Sequence, residues 1–310
     1  MKKFNNNLVV QSNTLIEARF TNYMSEQEQK ALAFVISETK PSDIDLYMNN
    51  QNKCIEISVK EFSYIMKTSA NRIYEDACIL SNTLTGKKFR IEYIGANGKS
   101  SFQEIALISM MQYDSGVLKI QINSSALIYL IELKEKFTVF RLENVLRLGS
   151  SYAIKIYQLL KQYESIHTRV FTIDELKDIL AVTSDSYNLY SNFKRKVLEV
   201  SKTHINLHTD IQIDYEEIKL SRKVHKIKFY IKSKLNQEQQ AKIAFEAYIN
   251  TLSNTHQLRH LWDQFKPENR WKRFAKELDD WIERKIFNYE PNSCDLLQYI
   301  DKNDLFFSND

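Results

Sequence analysis

The stretch YSNFKRKVLEVSKTHI at 190–205 concentrates side chains that recognise other molecules rather than transform them. On a helical wheel at about 100° per residue, Tyr190, Phe193, Val197, Val200 and His204 share one stripe, which is expected to face a core. Opposite them lie Asn188, Ser191, Asn192, Arg195, Glu199 and Lys202, with Lys194 and Lys196 on the two flanks. An outward guanidinium and carboxamide match the edges of guanine and adenine in a major groove, and flanking ammonium groups suit its two phosphate walls. Arg195 and Asn192 are therefore the expected base readers and Lys194 and Lys196 the expected phosphate clamps. Ser191 and Lys202 are expected to add contacts, and Glu199 to accept from a cytosine amino group or tether Arg195. A Lys-Arg-Lys run by itself is ordinarily a solvated face, so its surroundings decide.

Those surroundings are basic. Residues 150–234 carry 15 basic and 10 acidic side chains, against 18 and 16 before them and 10 and 13 after them. Within that middle segment SRKVHKIKFYIKSK (221–234) has six Lys or Arg and no acid, a density that attracts phosphate backbones. Arg222, Lys223 and Lys226 are the expected contacts there.

Other constellations do not assemble a catalytic centre. His204 and His208 are expected past a helix end, and the His256 and His260 of HQLRH lack the intervening Glu of a metalloprotease. A rolling-circle nickase needs a His-apolar-His pair, and His204-Ile205-Asn206 lacks the second histidine. The sequence GANGKS (95–100) ends like a phosphate-binding loop, but Tyr93 stands where that loop requires glycine, which makes it a hairpin turn. Seventeen tyrosines give no reason to choose one as a nucleophile. Catalysis, a metal and a cofactor are therefore not expected.

The elements that position the basic helix occur twice. Residues 57–62 (ISVKEF) and 171–176 (FTIDEL) share the order apolar, hydroxyl, apolar, charged, Glu, apolar, and each is a capping box that starts a helix. A helix precedes each box, at 25–40 and 150–163, and an amphipathic helix follows each, at 70–83 and about 188–204. The period then falls from 3.6 to 2, with alternating strands at 88–94, 102–109 and 117–122 in the first copy and 204–215 and 223–231 in the second. Three helices followed by a β-hairpin is the order of a winged helix. In the first copy the outward residues Asn71, Arg72, Glu75, Ile79 and Asn82 mix charges, which suits either a protein contact or a weaker DNA contact by Asn71 and Arg72, supported by Lys87 and Lys88.

At 310 residues and 43% hydrophobic, the chain supports two cores. Five glycines and three prolines favour long regular elements. Three scattered cysteines indicate neither a disulfide framework nor a thiolate metal site, and a reducing cytoplasm fits. Neither a signal peptide nor a run near 18 apolar residues is present, so a soluble protein with no membrane partner is expected. The expected fold is α+β and helix-rich: two tandem winged-helix domains at 1–136 and 137–234, with a helical C-terminal extension at 235–310 holding Trp262, Trp271 and Trp281.

Three stretches carry a family resemblance: NTLIEARFTNYMSEQEQKALAFVIS (13–37), FTVFRLENVLRLGSSYAIKIYQLLKQY (137–163) and YSNFKRKVLEVSKTHIN (190–206). They resemble plasmid replication initiators of the iteron-binding Rep type, over about residues 8–234, with the middle stretch the most specific. The resemblance implies two winged-helix domains, monomers bound to repeated double-stranded sites in a plasmid origin, and homodimers that repress their own promoter. It also implies a host initiator ATPase and the replicative helicase as partners. It makes the helix around Lys194, Arg195 and Lys196 the principal reader and gives the first domain a second contact and the dimer surface. Residues 235–310 have no counterpart in that family; the tail NDLFF loosely resembles the short Leu-Phe peptides that bind the sliding clamp, which would use Asp304, Leu305 and Phe306. A winged-helix transcriptional regulator without a replication role and a DNA-nicking enzyme are the competing expectations.

Overall fold

The computed structural model describes residues 7–20, 22–39, 54–95, 98–131, 137–236, 239–240 and 243. The helical extension expected at 235–310 falls almost wholly outside them, as does the Asp304-Leu305-Phe306 peptide. The first half runs β1 (Leu8–Ser12), α1 (Asn13–Glu17), β2 (Arg19–Phe20), α2 (Glu26–Glu38), β3 (Ile55–Ser58), α3 (Val59–Met66), α4 (Ile73–Leu84), β4 (Lys88–Ile94), β5 (Ser100–Ala106), β6 (Ile108–Asp114) and β7 (Val117–Ile122). The rest runs α5 (Ser124–Ile131), β8 (Phe137–Arg141), α6 (Leu142–Arg147), α7 (Ser151–Lys161), β9 (Thr168–Thr172), α8 (Ile173–Ile179), a helix over 190–208, β10 (Ile211–Leu220) and β11 (Lys223–Ser233).

The two expected capping boxes start α3 and α8. The amide of Glu61 donates to Ser58 Oγ at 3.4 Å and that of Glu175 to Thr172 Oγ1 at 3.1 Å, while Ser58 N–H and Thr172 N–H donate back to the Glu carboxylates. A third box, Ser25 with Glu28, starts α2. Each satisfies amides that a helix N-terminus leaves without intrahelical partners, so hydroxyl and Glu three residues apart fix where these helices begin.

In the first winged helix β3, β7 and β6 form one antiparallel sheet and β2, β4 and β5 another. The strand expected over 102–109 is divided between them. Leu107 is fully buried, its amide donates to the carbonyl of Lys87 and its carbonyl accepts from Asn123, so the chain leaves one sheet and enters the next at that residue. The turn that starts the hairpin between β4 and β5 includes Gly98 at φ +71°, where a glycine is favoured; residues 96 and 97 at its centre lie outside the described residues. Phe137–Arg141, expected to open the second domain, pairs antiparallel with β1, Leu8 opposite Arg141.

In the second winged helix β11 is the central strand, between β10 and β9. Phe171, Phe193, Val197, Ile211, Ile213, Ile227 and Phe229 are buried together. The two winged helices share one continuous apolar core and are joined by polar contacts. Arg169 pairs with Glu17 at 2.9 Å, and Arg19 with Asp178 at 3.8 Å. Among the described residues no helix is long and apolar enough to cross a membrane.

Candidate nucleic-acid interface

The helix over 190–208 is not uniform. It is α-helical at Tyr190–Phe193, π-helical at Lys194–Glu199 and α-helical again at Val200–His208. A π turn takes up one more residue than an α turn, so the face that follows it rotates by about 100°. The apolar stripe changes accordingly. Phe193 and Val197 are buried as expected, but the stripe continues through Leu198, Ser201 and Ile205. Val200 and His204, expected in the core, are only half-buried. The helix also reaches His208, so His204 and His208 stand one turn apart on it, with ring centroids 6.1 Å apart. Among the described residues no group of three His, Cys, Asp or Glu could hold a metal ion.

The outward side carries Ser191, Arg195, Lys196, Glu199, Thr203 and Leu207, all exposed. Arg195 and Lys196 make no ion pair with the described residues. The other expected contacts are already engaged. Asn192 donates its side-chain amide to the backbone carbonyl of Ser186 at 2.9 Å, which holds the loop before the helix. Lys194 pairs with Glu217 at 2.7 Å and Lys202 with Asp214 at 2.6 Å. Glu199 makes no hydrogen bond or ion pair with Arg195 among the described residues; it accepts from the Tyr215 hydroxyl at 2.5 Å.

Sequence reasoning missed the residues of β10 that make these ties. Successive strand residues point to opposite faces, and Ile211 and Ile213, both buried, establish which face meets the core. Tyr215 and Glu217 have the same parity, so they too face the helix, at the end where its partners are polar. Glu217 Oε1 accepts from Tyr190 at 2.9 Å as well as from Lys194. Those two donors hold its carboxyl below its usual range, the Lys194 ammonium foremost, while Glu217 pushes that ammonium up. Lys202 likewise lowers Asp214. Tyr190 and Tyr215 are both pushed up, by burial first and then by Glu217 and Glu199 respectively. The signal was legible as parity; the partner was not.

The hairpin of β10 and β11 is the wing. Leu220 faces Lys223 across its tip, where Ser221 has φ +58°. Arg222 and Lys223 are exposed there, and Lys226, opposite Ile218, is half-buried. None of the three makes an ion pair with the described residues. In the first winged helix Asn71, Arg72, Glu75, Ile79 and Asn82 are exposed together as the periodicity predicts. Arg72 pairs with Glu75 at 3.5 Å and Asp76 at 3.4 Å. Lys88 is exposed, but Lys87 is not available to DNA: it is buried, donates to the carbonyl of Tyr23 at 2.6 Å and pairs with the buried Glu28 at 3.3 Å. Its expected role as a contact is replaced by a structural one.

Two family models match this arrangement in order: "Initiator Replication protein, WH1" over residues 8–161 and "Initiator Rep protein, WH2" over residues 172–231. The chain belongs to this family of replication initiators. It is 28% identical over 162 residues to the PI protein of Escherichia coli, a match covering 46% of this chain and 53% of that one, so it spans about half the length of that relative. A crystal structure of the Pi initiator protein in complex with iteron DNA covers 73% of this initiator and is itself covered to 97%, with a TM-score of 0.52 and 21% identity. At that identity the shared property is the fold, two winged helices in tandem.

Proposed function

We propose that this initiator starts plasmid replication by binding repeated double-stranded sites, iterons, in its origin, with the helix over 190–208 in the major groove. The observation that carries this reading is the exposure of Arg195 and Lys196, without ion-pair partners among the described residues, on the outer face of a helix whose inner face is buried in a winged helix. Arg195 reads a base edge, Lys196 meets a phosphate, and Arg222, Lys223 and Lys226 of the wing meet the adjoining backbone. Ser191 borders the reading surface, while Asn71, Arg72 and Lys88 of the first winged helix add a weaker contact. The protein acts by binding, without catalysis or cofactor, in the cytoplasm. It recruits the host initiator ATPase and the replicative helicase, represses its own promoter as a homodimer, and reaches the sliding clamp through Asp304, Leu305 and Phe306.

Footprinting on the replicon's own DNA tests the reading. Protection of tandem direct repeats about two helical turns apart is expected. Protection of a single inverted repeat alone would make the protein a promoter-bound regulator, and covalent attachment to a 5′ end would make it a nicking enzyme; either result overturns the proposal.

A further inference from the structure

Building on that proposed function, we infer that Glu217 and Asp214 of the wing strand are specificity-determining residues: they hold Lys194 and Lys202 of the reading helix out of reach of the DNA backbone. Acidic side chains on a strand beside a DNA-reading helix are otherwise hard to account for, since they repel phosphate. β10 carries Asp214, Glu216 and Glu217 within four residues.

Two of these acids are held by more than one donor. Glu217 Oε1 takes the Tyr190 hydroxyl at 2.9 Å and the Lys194 ammonium at 2.7 Å, from successive turns of the helix. Asp214 Oδ1 takes the Lys202 ammonium at 2.6 Å and the amide of Tyr215 at 2.8 Å. Tyr215 lies between them. Its hydroxyl donates to Glu199, its ring packs on Phe229 at 5.9 Å, and Lys202 lies 5.8 Å from its centroid. An isolated surface ion pair is loose and contributes little. A carboxylate fixed by a second donor is already in place to hold its lysine.

The consequence for binding follows from counterion release. Each cation that meets a phosphate frees condensed counterions and raises affinity for every sequence alike. An ammonium already neutralised by a carboxylate does so only if it leaves that carboxylate behind. Of the four cations on the helix, Lys194 and Lys202 are paired and Arg195 and Lys196 are not. The wing carboxylates thus weaken sequence-independent attraction at the helix while leaving base reading by Arg195 intact, which widens the ratio between origin repeats and random duplex.

The test is the salt dependence of binding to a random duplex and to an origin repeat, with Glu217→Gln, Asp214→Asn and Lys194→Gln. Glutamine keeps an acceptor for Tyr190 and removes the charge. Glu217→Gln is expected to tighten binding to random duplex severalfold at low salt and to steepen its log–log salt slope by about one, lowering the specificity ratio. Lys194→Gln in the Glu217→Gln background is expected to remove the gain. An unchanged slope in Glu217→Gln, or a gain that survives Lys194→Gln in that background, overturns the inference. Asp214→Asn repeats the measurement at a side chain that is 68% exposed and outside the core, so a folding defect at Glu217 does not block the test. If the unaltered protein shows no preference for origin repeats, the proposed function fails; the random-duplex slopes still judge whether the carboxylates restrain the lysines.

Discussion

Replacing Lys155 with methionine should stabilise this protein, by an amount that depends on pH in a defined direction. Lys155 lies in α7, buried where the two winged helices meet, in a cavity of about 40 Å³ that Phe20, Tyr23, Gln29 and Leu180 also line. Its ammonium is 3.5 Å from the carbonyl of Ala18 and 5.2 Å from the centroid of Phe20. Burial pushes it down to about 7 from 10.5; Glu17 opposes that push and Arg169 adds to it. At about 1.4 kcal/mol per decade, burying this group costs about 4 kcal/mol at pH 7. Relaxation around a buried charge reduces such costs, so Lys155→Met should gain about 2–4 kcal/mol, or roughly 5–15 °C in Tm. Between pH 7 and about 10 the unfolded chain keeps a proton that the folded chain has released, so the stability of the unaltered protein rises with pH relative to the variant. The gap should close by up to about 1.4 kcal/mol per pH unit. Urea denaturation of both proteins at pH 7, 8 and 9 reads this directly, since all other titrating groups are shared. A gap independent of pH, or a variant less stable at pH 7, would refute the reasoning.

Arg195→Ala should cost about 1–3 kcal/mol on an origin repeat and little on random duplex, measured by titration at fixed salt. Lys223→Ala should weaken binding to both and reduce the salt slope by about one; equal behaviour of the two variants would remove the division between reading and clamping. Lys87→Ala should leave Glu28 buried without its ion-pair partner and cost about 3–5 kcal/mol of stability, with the folded protein's DNA affinity unchanged. Leu198→Ala should cost about 2–5 kcal/mol and Val200→Ala clearly less; the reverse order in denaturation would return the helix to a regular α-helical register.

The outline of the fold was legible because it is written locally. A hydroxyl and a Glu three residues apart fix a helix start through bonds within a single turn, which is why the boxes at Ser58 and Thr172 are legible in the sequence; that at Ser25 has the same spacing. Alternation likewise placed β4, β7 and β11. The departures are tertiary. Nothing local marks Leu107 as the point where the chain changes sheets, since its role depends on Lys87 and Asn123. Nor does Lys87 differ in type from Lys88 beside it; what removes it from the surface is Glu28, 59 positions away in sequence. The wheel failed at Leu198, Ser201 and Ile205 because it assumes a constant pitch, and the π turn at Lys194–Glu199 breaks that assumption in the middle of the reading helix.

That turn and the strand facing it alter what the basic charge of the middle segment means. By composition the reading helix and the wing both look like clamps. In the folded protein two of the helix's four cations are bound by the wing's own carboxylates, whereas Arg222, Lys223 and Lys226 at and near the wing tip have no ion-pair partner among the described residues. Under the proposed function, the field that draws any duplex is displaced from the helix toward the hairpin. Attraction and reading, under that same function, reside on different elements, and a duplex held by the wing is tested by Arg195 without the helix itself adding much to the grip on a wrong sequence. A helix whose cations were all unpaired would bind more tightly everywhere and discriminate less. On this view the acids of β10 raise specificity for the same reason that they lower affinity.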